Sequence, residues 1–183
     1  MQLSKKFVFA FSFLCGLSLV LACVYYQRPR HTPWEKARQF TEGIYVAEQI
    51  SEDDVAAIRK HGFATIIDLR PDGEAPDQVP SVKMEAAARA NQLNFFYVPV
   101  QHGEIPDSAV VALSAAISKS PEPILVYCRS GRRAARTLSL YEASRQNGPD
   151  AAAILAMVRS VGQSADDLSP EIDQRIAKRT AAR

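Results

Sequence analysis

One cysteine of this chain stands where a nucleophile could act. Cys128 directly follows the apolar run at residues 124–127, and the loop after it leads into a helical pattern from about residue 134. The next four residues could turn their backbone N–H groups toward one point at the start of that helix: Arg129, Ser130, Gly131 and Arg132. Such a nest binds an anion, and its positive field favours a thiolate over a thiol. The pattern predicts a cysteine that acts on an anionic ligand.

The arginines of this loop favour an anion site over a purely structural interpretation. Four arginines fall between residues 129 and 136, although cations at a helix N-terminus oppose the helix dipole. A buried cysteine is often an inert apolar side chain, but that alternative leaves the arginines unexplained. Arg133, at the end of the loop, is predicted to fork onto a bound oxyanion with its planar guanidinium.

Cleavage of an ester gains about 10²–10⁴-fold from a general acid, and two carboxylates are candidates. Glu104 and Asp107 lie in the loop after the predicted strand at residues 94–100. Asp107 follows a proline and precedes a helical pattern, which is typical of a helix N-cap. Glu104 is therefore the preferred acid, with Asp107 as the alternative. Asp68 and Arg70, at the end of another strand, are interpreted as ion-pairing residues that hold loops together.

Strands and helices alternate along the part of the chain that must position these residues. Apolar runs predict strands at residues 43–49, 63–69, 94–100 and 124–127. Helical patterns lie between and after them, at residues 51–62, 81–92, 108–119, 134–147 and about 154–161. This order predicts an α/β fold with a mostly parallel central sheet of about four to five strands flanked by helices. Ligands bind at the carboxyl ends of the strands in such sheets. The loops after the predicted strands at 94–100 and 124–127 should therefore open on the same edge of the sheet.

The composition limits the partners. The chain has 183 residues, a net charge of +2, and 47% hydrophobic and 23% charged residues, which is typical of one globular domain with appendages. This charge gives no reason to expect nucleic acid as a partner. The three histidines are scattered and no Cys or His pair has the spacing of zinc ligands, so neither a metal nor another cofactor is expected.

An apolar segment precedes the globular part. Lys5 and Lys6 are followed by an uncharged run from Phe7 to Tyr26, which is long enough to cross a bilayer as a helix. The chain is therefore divided into an anchor or signal segment at 1–27, a basic linker at 28–40, a globular domain at 41–163 and a polar C-terminal extension at 164–183. We expect a single-pass inner-membrane protein with an exported domain; the alternatives are a lipoprotein at Cys23 and a cleaved, secreted form.

Three segments, in this order, carry a resemblance: "IIDLRPDGE" at 66–74, "NFFYVPV" at 94–100 and "YCRSG" at 127–131. They resemble the beta-lactamase hydrolase-like phosphatase domain family, a branch of the dual-specificity phosphatase fold, over about residues 40–160. The resemblance implies a hydrolase that forms a cysteinyl-phosphate intermediate, with Cys128 as nucleophile, Arg133 as phosphate clamp and the intervening backbone as cradle. It also implies a general acid from a neighbouring loop that protonates the leaving group. The substrate would be a phosphorylated protein or a small-molecule phosphate ester.

The chain departs from the wider phosphatase pattern, and the departures keep rival functions open. Tyr127 stands in place of a histidine, and only four residues separate Cys128 from Arg133 instead of five. Ala134 stands where the pattern has a serine or threonine, so the hydroxyl is absent unless Ser130 or Thr137 substitutes for it. A rhodanese-like sulfurtransferase that uses a Cys128 persulfide is one rival. A module that binds an anionic or phosphorylated ligand with little turnover, and a membrane-tethered structural domain, are others. The segment "HGEIPDSA" follows the additional strand at 94–100, and this order favours the phosphatase fold.

Overall fold

A five-stranded sheet forms the centre of the computed structural model, which describes residues 33–181. The strands are β1 (Arg38–Thr41), β2 (Ile44–Ala47), β3 (Thr65–Asp68), β4 (Asn94–Tyr97) and β5 (Ile124–Tyr127). Their spatial order is β1-β2-β5-β3-β4. β1 is antiparallel to β2, and the other neighbours are parallel. The predicted α/β fold with a mostly parallel sheet is confirmed.

Sequence analysis missed β1, which lies in the segment predicted as a basic linker. Arg38 and Gln39 pair with Val46 and Tyr45 of β2, and a 3-10 turn precedes the strand at Pro33–Lys36. Phe40 is the one fully buried residue of this strand. An edge strand with a single buried side chain gives no alternating apolar signal, so the sequence pattern could not indicate it.

Six α-helices accompany the sheet in residues 33–181. They are α1 (Glu52–Lys60), α2 (Ser81–Ala90), α3 (Asp107–Ser118), α4 (Arg132–Ser144), α5 (Ala151–Ser160) and α6 (Ser169–Ala181). α1 begins after Ser51, whose backbone N–H donates to the Asp54 carboxylate at 2.7 Å, as in a capping box. The predicted helices agree with α1, α2 and α3 to within about two residues at each end. α4 begins and ends earlier than predicted, and α5 begins earlier.

The helices cover both faces of the sheet. α1 and α2 pack on one face, where Val55 and Met84 contact a cluster that includes Ile66 and Leu125. The helices α3, α4 and α5 pack on the other face in a cluster with Ile67 and Val126; the helical members include Leu113, Leu138 and Val158. Successive strand residues point to opposite faces. Because both faces are covered, every residue of β3 and β5 is buried, as is usual in a parallel sheet.

The four parallel strands end level with one another. Ala47 of β2 and Asp68 of β3 both pair with Tyr127, the last residue of β5. Asp68 also pairs with Tyr97, the last residue of β4. The loops after these strands therefore open on one edge of the sheet, as predicted, and Cys128 lies at the middle of that edge.

The C-terminal extension, predicted as polar, folds against the domain. It forms a 3-10 turn at Asp166–Leu168 and then α6. Ile172 of α6 is fully buried in a cluster with Leu140 of α4 and Ile154 of α5, and Ile176 packs against the same cluster. This helix, which is otherwise polar, thus docks through two isoleucines one helical turn apart, together with hydrogen bonds from Arg179 to the Glu142, Gly148 and Pro149 carbonyl oxygens.

The predicted membrane segment at residues 1–27 lies outside the described residues, as does the first part of the predicted linker. Between residues 33 and 181, no helix has the length and apolar character needed to span a bilayer. The anchor, its alternatives and the exported location remain predictions.

Candidate active site

Cys128 lies just beyond β5 and is 1% exposed. It lines a cavity of about 570 Å³ at the carboxyl edge of the sheet. The other described lining residues come from the loop after β4, the loop after β5 and the start of α4: Gln101, His102, Gly103, Ile105, Arg129, Ser130, Arg132, Arg133 and Arg136. The structure thus brings the predicted nucleophile, the predicted clamp and the predicted cradle residues into contact with one cavity; Gly131 lies in the same loop.

The loop after Cys128 depends on Gly131. This residue has φ +77° and directly precedes α4. A Cβ atom here would lie 3.2 Å from Val46 Cγ1 and 3.4 Å from the Ala47 carbonyl oxygen. Both the left-handed conformation and the close approach to β2 therefore favour glycine. The turn brings the loop to the N-terminus of α4, whose first N–H groups have no acceptor within the helix and can bind an anion.

Arg133 is held by three different segments of the chain. Its Nη1 donates to the Val100 carbonyl oxygen at 2.6 Å and to the Leu69 carbonyl oxygen at 3.4 Å. Its Nη2 donates to Glu74 Oε1 at 2.6 Å. The side chain is only 9% exposed, so the guanidinium is fixed in direction at the wall of the cavity. These contacts engage both terminal nitrogens of Arg133, and its Nη2 also lies 3.5 Å from His102 Nε2. The role of Arg133 as phosphate clamp therefore stays a prediction.

Glu74 is the acceptor that joins these cations. Arg70 Nε donates to Glu74 Oε2 at 2.9 Å, and His102 Nε2 lies 3.3 Å from Glu74 Oε1. Burial of the carboxyl would raise the pKa of Glu74, but the hydrogen bonds from Arg70 and Arg133 outweigh burial and lower it. Glu74 is therefore a positioning residue for the clamp. Sequence analysis did not assign it this role, although its place at the end of "IIDLRPDGE" was a usable signal.

Arg70 forms an ion pair that joins loops, as predicted, whereas Asp68 forms none within residues 33–181. Arg70 pairs with Glu74, and its Nη1 also donates to Gln49 Oε1 at 2.9 Å. Asp68 instead accepts the Arg70 backbone N–H at 2.7 Å. Asp68 is buried beside Tyr127, whose hydroxyl is buried without a well-formed hydrogen bond in the described part of the chain. Burial is the main reason why the pKa of Asp68 rises to about 6.

The raised pKa of Asp68 predicts a specific pH dependence of stability. Between about pH 4 and 6 the folded protein keeps this proton while the unfolded chain has lost it, so the free energy of unfolding falls as the pH rises through this range. The fall is on the order of 3 kcal/mol for a shift of this size. Above pH 6 the contribution is constant.

Denaturant titrations of wild type and Asp68→Asn from pH 4 to pH 7.5 would measure this dependence. We expect the slope between pH 4.5 and 6 to be largely removed in the variant. Glu74 does not confuse the result, because its pKa is lowered and its stabilising contribution is lost only under more acidic conditions. Equal slopes in both proteins would contradict the assignment to Asp68.

The two general-acid candidates lie on a different cavity. Glu104 and Asp107 line a second cavity, of about 1010 Å³, together with residues of α4 and α6. Asp107 is the first residue of α3, one position after the N-cap, and it pairs with Arg175 of α6. Neither carboxylate is among the described residues that line the Cys128 cavity. The two cavities adjoin, since Gly103, Ile105 and Arg136 line both, but Glu104 and Asp107 line only the second. Their role as general acids stays a prediction.

Because Glu104 does not line the Cys128 cavity, we expect Glu104→Gln to change kcat/KM for an aryl phosphate by less than about 3-fold, whereas loss of a working general acid removes about 10²–10⁴-fold. Steady-state rates across pH 5 to 8 would test this, with Ser114→Ala, at an exposed position of α3, as the control. A loss of about 10²-fold together with loss of the alkaline limb of the pH profile would show instead that the loop closes and brings Glu104 to the leaving group.

The two hydroxyls considered as substitutes for the one missing at Ala134 differ in placement. Thr137 is fully buried and donates to the Arg133 carbonyl oxygen at 2.9 Å, so it is engaged within its own helix. Ser130 is exposed and lines the cavity of Cys128. Of the two, Ser130 is the hydroxyl that a ligand in this cavity can meet.

Comparison with known proteins identifies related sequences. A family model described as "Beta-lactamase hydrolase-like protein, phosphatase-like domain" matches residues 36–145. A beta-lactamase hydrolase-like protein from Xylella fastidiosa (strain Temecula1) is 34% identical over 107 residues, which are 58% of this chain and 25% of that protein. The chain thus spans about a quarter of the length of the curated relatives it matches.

Solved structures share the fold. A candidate phosphatase (nma1982) from Neisseria meningitidis has a TM-score of 0.67 at 23% identity, over 76% of this chain and 98% of that chain. A variant of P. aeruginosa TpbA in complex with phosphotyrosine has a TM-score of 0.58 at 15% identity, over 84% of this chain and 98% of that chain. At these identities the similarity demonstrates a common fold.

Proposed function

Because this chain belongs to the family of beta-lactamase hydrolase-like phosphatase-like domains, we propose that it is a cysteine-dependent phosphatase that hydrolyses phosphate esters. The observation that carries the proposal is the cavity in which Cys128, the start of α4 and Arg133 meet. The substrate would be a phosphorylated protein or a small-molecule phosphate ester. TpbA, which has the same fold, was solved with phosphotyrosine, so this fold accommodates a phosphate ester.

The proposed reaction has two steps. The Cys128 thiolate attacks phosphorus, an S–P bond forms, and the bond from phosphorus to the leaving oxygen breaks with its electron pair on that oxygen. Water then attacks phosphorus, the S–P bond breaks, and the electron pair returns to sulfur as inorganic phosphate leaves. Throughout, the N–H groups at the start of α4 and the guanidinium of Arg133 stabilise the charge on the phosphoryl oxygens.

Trapping the intermediate tests this function. The enzyme is mixed with phenyl phosphate, quenched in acid and digested, and the peptides are mapped by mass. We expect a phosphate adduct on the peptide that contains Cys128, and no adduct in a Cys128→Ser control treated in the same way. Hydrolysis of phenyl phosphate without such an adduct, at equal rates in both proteins, would overturn the cysteinyl-phosphate mechanism.

A sulfurtransferase is the second candidate, and two observations favour it. Only four residues separate Cys128 from Arg133, and no described carboxylate lines the cavity. Sulfur transfer needs no acid: the thiolate attacks the outer sulfur of thiosulfate, an S–S bond forms, and sulfite leaves with the electron pair of the bond that breaks. Transfer from thiosulfate to cyanide, with no hydrolysis of phosphate esters, would establish this alternative.

A further inference from the structure

The Cys128 cavity is lined by more cationic groups than one phosphate needs, although Glu74 already pairs with Arg133 and His102 behind the lining. Four arginines and His102 line it, and among its described lining residues there is no carboxylate. Ile105 is the only large apolar side chain in that set, and no aromatic ring belongs to it. An aromatic leaving group would therefore find few apolar contacts and would desolvate charged groups. The lining fits a ligand with more negative charge than one phosphoryl group carries.

A carboxylate from the C-terminal extension already occupies part of this cationic rim. Asp167 accepts hydrogen bonds from Arg136 Nη1 at 2.5 Å and from Arg136 Nη2 at 2.7 Å. The Arg136 side chain is 12% exposed, whereas that of Asp167 is 63% exposed. The hydrogen bonds from Arg136, and to a smaller extent the positive charge of Arg132, lower the pKa of Asp167. The position of this carboxylate is therefore one where an anion is stabilised, and solvent can reach it.

The residues at the start of this extension, with Gln163 just before it, contact the nucleophile loop and α4. Gln163 Nε2 donates to the Ser130 carbonyl oxygen at 3.1 Å, and Arg136 Nη1 lies 3.4 Å from the Ser164 carbonyl oxygen. Both contacts come from residues beyond position 145, where the match to the family model ends. The extension is thus placed to influence what binds next to Cys128.

No carboxylate lines the cavity among the residues that the structure describes, and this restricts the leaving group. An alkoxide is a poor leaving group without a proton donor. A phosphate, whose second pKa is about 6, is a stable anion at neutral pH and leaves without protonation. Cationic groups that bind the departing phosphate would then stabilise the charge on its oxygen, whereas an alcohol leaving group needs a general acid to protonate it.

Resting on the proposed function, we propose that the preferred substrate is a phosphoanhydride. Its terminal phosphoryl group binds at Cys128, and its second phosphate binds to Arg136 and Arg132 in place of the Asp167 carboxylate. Asp167 is then a specificity-determining residue, because it competes with the second phosphate for Arg136 and is displaced only by a ligand with sufficient negative charge.

The bond changes follow from this placement. The Cys128 sulfur attacks the terminal phosphorus, the bond from that phosphorus to the bridging oxygen breaks, and the electron pair stays on the bridging oxygen of the leaving phosphate. No proton is needed in this step. Water then hydrolyses the S–P bond as described above, releasing inorganic phosphate and restoring the thiolate.

Three probe substrates distinguish the effect of the leaving group from the effect of the second phosphate's charge: inorganic pyrophosphate, phenyl phosphate and glycerol phosphate. Their kcat/KM values are measured for wild type, Arg136→Gln and Asp167→Asn without divalent cations. In wild type we expect pyrophosphate to exceed phenyl phosphate about 10-fold, and glycerol phosphate to be the poorest. Loss of a charged hydrogen bond in Arg136→Gln should lower the ratio of pyrophosphate to phenyl phosphate about 10-fold. Asp167→Asn should raise the ratio, because the competing charge is removed.

The two variants are predicted to move the ratio in opposite directions, which a general loss of folding could not produce. If phenyl phosphate is hydrolysed but the ratio is 1 or less, or if neither variant changes it, the phosphoanhydride inference is wrong and the proposed phosphatase function stands. If none of the three is hydrolysed by wild type, both the inference and the proposed function are wrong.

Discussion

Replacing Cys128 with serine is expected to reduce the hydrolysis of phenyl phosphate on the order of 10⁴-fold or more, since loss of an enzyme's nucleophile has effects of this size. The hydroxyl is a much weaker nucleophile than a thiolate. Cys128 is the only cysteine among the residues that the structure describes, so no other described thiol can replace it. Initial rates at several substrate concentrations would show the loss mainly in kcat.

A binding measurement keeps this result interpretable. Inorganic phosphate should raise the Tm of Cys128→Ser as it does that of wild type, because the loop, α4 and Arg133 are unchanged and a ligand of the folded state stabilises it. A variant that is inactive and no longer stabilised by phosphate would indicate a damaged site. Full activity in Cys128→Ser would exclude Cys128 as the nucleophile in the hydrolysis of phosphate esters.

Replacing Arg133 with lysine is expected to cause the second-largest loss, about 10²–10³-fold in kcat/KM, the range seen when one charge-stabilising donor is removed. Lysine keeps the charge but lacks the fork, so it cannot donate to Val100, Leu69 and Glu74 in the same directions. Thermal unfolding should also shift to lower temperature, because these buried acceptors lose their partner.

Arg89→Lys is the matched control for this substitution. Arg89 makes an exposed i,i+4 pair with Glu85 on α2, with 81% of its side chain exposed, and exposed pairs of this kind contribute little to stability. We expect its rate and its Tm to match wild type. If Arg133→Lys kept wild-type kcat/KM while losing stability, Arg133 would be a structural residue that joins loops, and another arginine of the cavity would have to bind the phosphate.

The sequence predicted β2 to β5, α1 to α5 and the nucleophile loop because each had a strong local signal, whereas β1 and α6 had none. β3 and β5 are short runs of β-branched and other apolar residues, and α1 has Ser51 and an acidic first turn. Parallel strands in register then bring the loops after β4 and β5 to one edge. Cys128 and Arg133 could be placed together from this reasoning alone.

Contacts between segments that are far apart in the sequence could not be predicted from it. Glu74 and Arg133 are 59 positions apart, and Arg136 and Asp167 are 31 positions apart. Nothing local marks such a pair, since a carboxylate in a polar loop usually faces solvent. The surroundings of the two general-acid candidates were equally hidden: Glu104 and Asp107 line a cavity together with residues of α6, and Asp107 pairs with Arg175, 68 positions away.

The position of β5 has a consequence for how the site withstands local opening. β5 lies between β2 and β3, with helices on both faces, so its amides should exchange with solvent only when the domain opens as a whole. The segment with Asp167 lies outside the sheet and is held next to the site by polar contacts and by the packing of Ala165 and Leu168. We therefore expect the amides next to Cys128 to exchange more slowly than those of this segment.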